Sequence, residues 1–355
     1  MKKKITSLFL LASLAAGSLS LTGCSKSSTS YANGEVNVYN WGEYIDPDVI
    51  DLFEETYQIK VNYQTYTDNE YMYSKVSSGT TNFDVICPSD YMIQKLIQED
   101  LITPLDYTKI PNYTNIDEQY YEASETFDPG NLYSVPYCWG TLGILYNKKL
   151  VDEPITSWSV LFDEKYKNNI VMIDSIRDAY AVALKLLGYD LNTTDKNEIT
   201  AATILMQQQH ELVQCYAIDQ VRDIMINGSA ALGVIYSGEA IYTKSENDDL
   251  EYVVPEEGSN VWIDSWVMLK DSKNKENALK WIDFMCDPEI ALKNFEYITY
   301  STPNKAAKAL IEDDDLRNST VAFPGNDILN RCTAYTYLGE EMDEYYFRQW
   351  YKVKS

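Results

Sequence analysis

Acidic and aromatic side chains cluster in a few short segments of this sequence, and together these residue types can bind an organic cation. Carboxylates pair with ammonium groups, while tryptophan and tyrosine faces attract cations and cover the methylene groups between them. The candidate carboxylates are Glu43, Asp178, Glu239 and Asp264. The candidate aromatic faces are Trp41, Tyr44, Tyr91, Tyr236, Trp262 and Tyr300. Because the chain has 30 tyrosines, core packing stays the alternative for any single ring.

The elements that position these segments follow from the spacing of apolar residues. Residues 34–41 and 59–66 alternate like strands, and the segments after Asp46 and Asn69 have helical spacing. Strands that alternate with helices predict an α/β fold with a mainly parallel sheet flanked by helices. Because ligands bind beyond the carboxyl ends of such strands, three strand-end loops should share one rim. These loops are 41–44, 65–68 and 88–91.

The pattern restarts after Gly143, which predicts a second lobe. Strands are expected at 170–174 and 231–236, and a helix is expected over 196–215. The aromatic tail, residues 333–350, is also predicted to be helical. The length of 355 residues suits two lobes, each with its own core.

The charge of the chain restricts its partners. At pH 7 the formal net charge is −25, from 54 acidic and 29 basic residues. A chain this acidic repels phosphate and favours cationic ligands, so nucleic acid is not an expected partner. A solvated acidic surface explains most of this charge, and the charge by itself identifies no ligand.

The N-terminus has the features of an export signal. Three lysines after Met1 precede the apolar run 8–21, which is short for a membrane span. The four residues that end at Cys24 resemble a bacterial lipobox. We interpret residues 1–23 as a signal peptide and residues 24–33 as a lipidated cysteine with a polar tether. The protein is therefore expected outside the cytoplasm, anchored to the membrane through the lipid on Cys24.

The other cysteines and the single histidine, His210, argue against several kinds of catalytic site. These cysteines are Cys87, Cys138, Cys215, Cys286 and Cys332. They lack the close spacing of a zinc site, and their odd number prevents complete pairing. We interpret them as small buried hydrophobic residues and leave disulfides open. One histidine does not suit a multi-histidine metal site, and it argues against a histidine-dependent triad.

Several motifs, in order along the chain, resemble the spermidine/putrescine-binding proteins of bacterial ABC transporters. These motifs are Asn40-Trp41-Gly42-Glu43-Tyr44, Pro88-Ser89-Asp90-Tyr91, Pro136-Tyr137-Cys138-Trp139-Gly140, Trp262-Ile263-Asp264-Ser265 and Tyr300-Ser301-Thr302-Pro303-Asn304. The resemblance implies a type II-like, two-lobed periplasmic-binding-protein fold with the ligand cleft between the lobes. It implies that lobe 1 comprises residues 34–139 plus 264–309 and that lobe 2 comprises residues 143–260 plus 313–355.

The resemblance also implies a function. The protein would capture a polyamine, putrescine and/or spermidine, close around it and deliver it to the permease subunits of an ABC transporter. We expect a monomer that has no cofactor or metal and is not an enzyme. The lipobox and tether favour a Gram-positive cell surface over a Gram-negative periplasm.

Carried over position by position, the resemblance assigns roles to single residues. Asp264 corresponds to the central amine-binding carboxylate, and Glu43 and Ser89 correspond to polar positions on the same rim. The aromatic box corresponds to Trp41, Tyr44, Tyr91, Trp262 and Tyr300. Gln349 matches a glutamine whose side chain contacts the ligand.

The chain also departs from this family pattern. In the family, two acidic residues bind a terminal amine of the ligand. Ser175 and Asp178 occupy these two positions here, so one carboxylate is lost and the other belongs to a shorter side chain. Tyr236 replaces the usual tryptophan. The lost carboxylate favours a dication such as putrescine over a trication, unless Asp174 or Glu239 compensates.

Other functions remain open from the sequence. An enzyme on the same fold would use Cys138 as its nucleophile, with a carboxylate in place of a histidine base. A different cationic ligand is another alternative, as is ferric iron held by the adjacent Tyr345 and Tyr346. An adhesive surface lipoprotein would need no cleft that closes.

Overall fold

The computed structural model describes residues 31–355, whose strands form one continuous mixed sheet. The strands in this range are β1 (Glu35–Trp41), β2 (Lys60–Tyr66), β3 (Val85–Ile86), β4 (Ser134–Asn147), β5 (Ile170–Ile173), β6 (Val213–Ala217), β7 (Leu232–Tyr236), β8 (Leu250–Val253) and β9 (Val261–Met268). The sheet order is β2-β1-β3-β9-β4-β7-β5-β6, and β8 pairs with β4. The predicted signal peptide, the lipidated Cys24 and most of the tether lie outside the described residues.

Helices connect and cover these strands. They are α1 (Pro47–Tyr57), α2 (Asn69–Ser77), α3 (Asp90–Gln98), α4 (Glu118–Ser124), α5 (Ile176–Leu186), α6 (Lys196–His210), α7 (Val221–Ile226), α8 (Ser237–Glu246), α9 (Lys275–Met285), α10 (Pro288–Ile298), α11 (Lys305–Leu310), α12 (Asp314–Arg317), α13 (Asn326–Leu329) and α14 (Glu340–Val353). In α1, Asp46 caps the first turn and Pro47 takes the first position. Gln58 ends α1 in the left-handed conformation, while Val49 and Phe53, one turn apart, are buried against the sheet.

Strand β4 joins the two halves of the molecule. Its residues 134–141 pair antiparallel with β9, and its residues 142–146 pair antiparallel with β7. The first half contains the parallel strands β1, β2 and β3 with β9, and the second half contains the parallel strands β5, β6 and β7 with β8. At Gly143, where β4 crosses, a Cβ atom would lie 2.5 Å from the Tyr252 ring. The predicted α/β class is confirmed, with antiparallel strands added at the junction.

Each half has its own hydrophobic core. Trp266 and Trp281 are fully buried in the first half and pack edge to face, with ring centroids 5.9 Å apart. Trp158 and Tyr180 are fully buried in the second half. Burying one large apolar side chain stabilises a fold by about 1.5–3 kcal/mol. Each half can therefore hold its strand-end loops in fixed positions.

Two predicted helices are longer than the helices in the structure, one at its C-terminal end and one at its N-terminal end. The helix predicted over 196–215 stops earlier, because Val213–Ala217 pair with β5 and form β6. The tail predicted as a helix over 333–350 is irregular before α14, and Gly339 has a φ of 88°, which ordinary helical residues do not adopt. Between residues 31 and 355, no helix combines the length and apolar character that crossing a membrane requires.

Candidate functional site

The ends of β1, β2 and β3 meet at one rim, as predicted, and hydrogen bonds hold their loops together. Trp41 Nε1 donates to the carbonyl oxygen of Cys87 at 2.9 Å. The Tyr66 hydroxyl donates to the same oxygen at 2.7 Å. Gly42 N donates to the Tyr66 carbonyl oxygen at 3.3 Å. Parallel strands end at the same sheet edge, which explains why segments distant in sequence form one surface.

Asp264 lies on β9 beside this rim and is 5% exposed. The Tyr44 hydroxyl donates to its Oδ2 at 2.9 Å. Among the residues that the structure describes, none makes a well-directed hydrogen bond to its Oδ1. Burial raises the pKa of the Asp264 carboxyl to about 7, although the nearby Ser89 and Tyr44 hydroxyls favour the ionised form. The site therefore contains a buried carboxylate with one oxygen available to a ligand.

A row of aromatic rings runs from the rim of the first half into the second half. The ring centroids of Trp41 and Tyr44 are 6.5 Å apart, and those of Tyr44 and Tyr300 are 5.4 Å apart. The row continues from Tyr300 to Trp262 at 5.3 Å and from Trp262 to Tyr236 at 6.2 Å. All four contacts are edge to face, the arrangement that ring quadrupoles favour. The structure thus brings together five of the predicted aromatic residues.

Two glycines make room for this row. A Cβ atom at Gly140 would lie 2.7 Å from the Trp262 ring, and one at Gly238 would lie 2.3 Å from the Tyr300 ring. Real Cβ contacts are longer than this, so any side chain at either position would displace a ring.

A second carboxylate, Asp178, lies in the first turn of α5 and is 6% exposed. Ser175 Oγ and the Tyr236 hydroxyl both donate to its Oδ2 at 2.6 Å. The Tyr335 hydroxyl donates to its Oδ1 at 3.0 Å, and the Arg177 guanidinium lies 4.5 Å from the Tyr335 ring centroid. Because these three hydroxyl groups donate their protons to Asp178, the lone pairs of the hydroxyl oxygens remain free to accept hydrogen bonds from a ligand.

The sequence analysis missed the contact of Tyr335 with Asp178, because Tyr335 lay inside the helix predicted over 333–350. Gly339 was the signal against that helix, since a glycine often marks a helix boundary. Gln349, which the resemblance had placed at the ligand, lies on α14 and is 6% exposed. It accepts a hydrogen bond from Lys352 Nζ at 3.1 Å within its own helix. The structure brings Tyr335, and not Gln349, to Asp178.

Asp174 and Glu239, the two acids named as alternatives to the lost carboxylate, already have cationic partners. Asp174 is exposed and lies 2.6 Å from Lys354 Nζ. Glu239 Oε2 forms an ion pair with Arg222 Nε at 2.7 Å, and its Oε1 accepts from the Tyr300 hydroxyl at 3.1 Å. Burial raises the pKa of the Glu239 carboxyl, and Arg222 opposes that rise.

The remaining predicted residues lie around the rim. Glu43 is exposed at the turn after β1 and has a φ of 51°. Ser89 precedes α3 and accepts a hydrogen bond from Asn69 Nδ2 at 3.1 Å. The Tyr91 hydroxyl donates to Glu70 Oε1 at 2.9 Å, and its ring packs against the cores of both halves. Tyr91 therefore bridges the two halves of the molecule.

Comparison with known proteins identifies the family. A family model described as bacterial extracellular solute-binding protein matches residues 48–322. The chain belongs to this family. A spermidine/putrescine-binding periplasmic protein of Salmonella typhimurium is 35% identical over 338 residues, which cover 94% of this chain and 96% of that protein. A putrescine-binding periplasmic protein of Pseudomonas aeruginosa is 30% identical over 355 residues, which cover 95% of this chain and 96% of the relative.

A solved structure supports the same fold for this solute-binding protein. The spermidine/putrescine ABC transporter substrate-binding protein from Streptococcus pneumoniae is 38% identical, with a TM-score of 0.81. The match covers 90% of this chain and 98% of the other. The predicted two-lobed periplasmic-binding-protein fold is therefore confirmed.

The cysteines of this solute-binding protein are poor candidates for a nucleophile. All five that the structure describes have free thiols, and three of them are buried. Cys138 pairs across β4 and β9 with Asp264. Burial, followed by the charge of Asp264, raises the pKa of the Cys138 thiol well above its usual value. A thiol with a raised pKa is mostly protonated and reacts slowly.

The paired tyrosines of α14 lie in different surroundings. Tyr346 is 2% exposed, and its hydroxyl donates to the Thr193 carbonyl oxygen at 3.0 Å. The Tyr345 hydroxyl lies 3.1 Å from the Thr200 hydroxyl at the surface. Within residues 31–355, no three histidine, cysteine, aspartate or glutamate side chains form a group that would hold a metal ion.

The two halves also contact each other away from Asp264 and Asp178. Tyr337 N, from the segment before α14, donates to Gln94 Oε1 on α3 at 2.8 Å. Lys95, the next residue of α3, lies 3.9 Å from the Tyr73 ring centroid and 5.1 Å from that of Tyr337. The halves therefore meet along a second contact, which contains a cation between two aromatic rings.

Proposed function

We propose that this solute-binding protein captures a polyamine, putrescine and/or spermidine, outside the cytoplasm and delivers it to the permease of an ABC transporter. The observation that carries the proposal is Asp264, a buried carboxylate that adjoins a row of aromatic rings. An ammonium supplies both the positive charge and the N–H donors that such a carboxylate needs. The relatives support the same ligand class, since their names record binding of spermidine and putrescine.

The aromatic row suits the alkyl part of a polyamine. An ammonium over a tyrosine or tryptophan contributes about 0.5–2 kcal/mol, and each buried methylene contributes about 0.8 kcal/mol. After the cost of association, such sums reach about −8 kcal/mol, which corresponds to micromolar affinity.

The carboxylates of the site favour a dication. Asp264 would bind one ammonium group, and the hydroxyls that donate to Asp178 in the other half would accept hydrogen bonds from the second. Asp174 and Glu239 already belong to ion pairs, so neither replaces the carboxylate lost at Ser175. We infer that putrescine binds at least as tightly as spermidine.

The proposed site comprises residues from both halves. Its members are Trp41, Glu43, Tyr44, Ser89, Tyr91, Ser175, Asp178, Tyr236, Trp262, Asp264, Tyr300 and Tyr335. Asp264 anchors one amine, the hydroxyls around Asp178 orient the other, and the rings cover the methylenes between them. A role for Gln349 stays a prediction of the resemblance.

The remaining parts of the proposal concern organisation and location. Lobe 1 would comprise residues 34–139 plus 264–309, lobe 2 would comprise residues 143–260 plus 313–355, and the lobes would close about the crossing in β4. The protein would act as a monomer, held by a lipid on Cys24 at a Gram-positive cell surface. Its macromolecular partners would be the permease subunits.

The protein is proposed to be a receptor without catalytic activity. The buried Cys138 thiol, with its raised pKa, is the observation against the cysteine-enzyme alternative. Cys138→Ala should leave polyamine binding within about twofold of the parent, because no thiolate takes part. A parent that consumes the polyamine, and a variant that does not, would show an enzyme instead.

Isothermal titration calorimetry tests the receptor function. The chain from Tyr31 onward, first shown to be folded by circular dichroism, is titrated with putrescine, spermidine and spermine in parallel. Micromolar or tighter binding of putrescine or spermidine is expected. Folded protein that gives no heat with any of the three would overturn the polyamine assignment.

A further inference from the structure

Asn69, the first residue of α2, is buried behind two residues of the proposed site. Its side chain is 4% exposed, and its Nδ2 lies 3.1 Å from both Ser89 Oγ and the Tyr91 hydroxyl. Its Oδ1 accepts from Ser89 N at 3.4 Å. A backbone N–H can only donate, so Oδ1 must face Ser89 N and Nδ2 must face the two hydroxyls. One amide therefore sets the orientation of both hydroxyls.

Each hydroxyl that accepts from Asn69 has to direct its own proton to another acceptor. The Tyr91 hydroxyl donates to Glu70 Oε1 at 2.9 Å. Ser89 forms an antiparallel bridge with Asp264, and the Ser89 hydroxyl lies near the Asp264 carboxyl group, whose ionised form it favours. Oδ1 of Asp264 receives no well-directed hydrogen bond from any described residue, so the Ser89 proton can turn to one of its lone pairs while the other stays available to the ligand.

We propose that Asn69 is a positioning residue of the binding site. Asn69 orients the Ser89 hydroxyl so that it donates to Asp264, and this hydrogen bond keeps the Asp264 carboxylate charged for the ligand. This inference rests on the proposed function for its ligand, although the orientation of Ser89 by Asn69 does not. The charge of Asp264 is sensitive to one donor because burial raises its carboxyl pKa to about 7, and the Ser89 and Tyr44 hydroxyls oppose that rise.

The other groups that face Asp264 do not supply a positive charge. These titratable groups are Tyr44, Tyr66, Cys87, Asp90 and Cys138. Burial raises the pKa of each of them well above its usual value, which favours the neutral form. Hydroxyl donors are therefore the groups in the described chain that favour ionised Asp264, and Asn69 orients one of them.

The first experiment measures putrescine affinity against pH for the parent and for Asn69→Ala. Loss of the oriented donor should raise the midpoint of the pH profile by about half a unit. Affinity should then fall about threefold at pH 6.5 and stay nearly unchanged at pH 8.5, where Asp264 is ionised in both proteins. An equal loss at both pH values would overturn the proposal, because it would show a purely structural effect.

The second experiment needs no ligand and separates this inference from the proposed function. Carboxyl carbon NMR of the unliganded chain from Tyr31 onward follows the titration of Asp264, whose signal is assigned by its absence in Asp264→Asn. Asn69→Ala and Ser89→Ala should each raise the midpoint by about half a unit, and the double variant should raise it no further. A midpoint moved by Ser89→Ala but not by Asn69→Ala would overturn the positioning role, whether or not any polyamine binds.

Matched variants keep the test decisive. Asn82→Ala removes an exposed asparagine and should leave the midpoint unchanged. If Asn69→Ala fails to fold, Asn69→Leu replaces it, because leucine has a similar volume and no donor. Both measurements are repeated on that variant, with the same expected shift.

Discussion

The Tyr44 hydroxyl donates to Asp264 Oδ2 at 2.9 Å, and this hydrogen bond joins the loop after β1 to the strand β9. Burial, followed by the charge of Asp264, holds the pKa of Tyr44 well above its usual value, so the phenol keeps its proton and acts as the donor. The carboxylate is thus fixed in orientation with its other oxygen available to a cation.

Asp264→Asn should abolish most polyamine binding. The amide keeps the size of the side chain but removes the charge that a buried ammonium requires, and losses of this kind cost about 2–5 kcal/mol. Calorimetry with putrescine should show affinity weakened at least about thirtyfold. Asp248→Asn, at an exposed acid, is the control and should bind like the parent. Unchanged affinity in Asp264→Asn would show that the ligand is held elsewhere.

Putrescine affinity should depend on the ionisation of Asp264. Its carboxyl pKa is about 7, and the cation binds the ionised form, so affinity should fall about tenfold for each pH unit below 7. Above pH 8 the affinity should level off. Calorimetry from pH 5 to pH 8.5 checks this, since the diamine stays charged over that range. A profile that is flat down to pH 5 would contradict the assignment of Asp264.

Asp264 should also make stability depend on pH. The pKa of aspartate in an unfolded chain is about 3.9, whereas the folded value here is about 7. The protonated carboxyl therefore stabilises the fold fully below pH 4, and this contribution is lost as pH rises through 7. The Asp264→Asn variant has no carboxyl group at this position and does not lose stability in this way. The difference in free energy of unfolding, variant minus parent, should therefore increase by about 2–4 kcal/mol from pH 4 to pH 8.

Chemical denaturation of unliganded protein, followed by circular dichroism, measures this difference. A constant offset between the two proteins across the pH range would mean that Asp264 titrates normally in the folded state.

Tyr335→Phe should weaken putrescine binding about threefold to tenfold, because it removes the hydroxyl that donates to Asp178 Oδ1 and leaves the ring in place. Gln349→Ala should have a smaller effect on affinity, since Gln349 bonds to Lys352 in its own helix. Tyr351→Phe, at a ring that is 72% exposed, is the matched control. A larger loss of putrescine affinity in Gln349→Ala than in Tyr335→Phe would contradict this prediction and favour Gln349 as the ligand-binding residue, as the family resemblance implies.

Tyr337→Ala should speed ligand release. The Tyr337 ring lies 5.1 Å from Lys95 of the opposite half, so its removal weakens a contact between the halves that lies away from Asp264 and Asp178. Stopped-flow measurements should show a dissociation rate about threefold to tenfold higher, with the association rate unchanged. Tyr345→Ala removes a ring 5.3 Å from Lys196 within the second half and should leave both rates unchanged. Equal dissociation rates in Tyr337→Ala and the parent would show that this contact does not hold the halves together.

Local sequence was enough to predict the α/β class and the rim of three strand-end loops. The period of apolar residues defines strands such as Glu35–Trp41, and short-range caps such as Asp46 define where helices begin. Tyr44 stood out because it follows a predicted strand end, and the motif that contains Trp262 and Asp264 stood out through its resemblance to the family. These features depend on neighbours within a few positions, so the chain by itself determines them.

The tertiary structure decided which carboxylates remain available to a ligand. Asp174 meets Lys354 and Asp178 meets Tyr335 across more than a hundred residues of chain, contacts that no local pattern encodes. Burial then raised the pKa of the Asp264 carboxyl, because its charge state depends on the solvent that the folded chain excludes. The sequence supplied the acids and rings, and the packing of distant segments determined which of them are already paired and which are left for a cation.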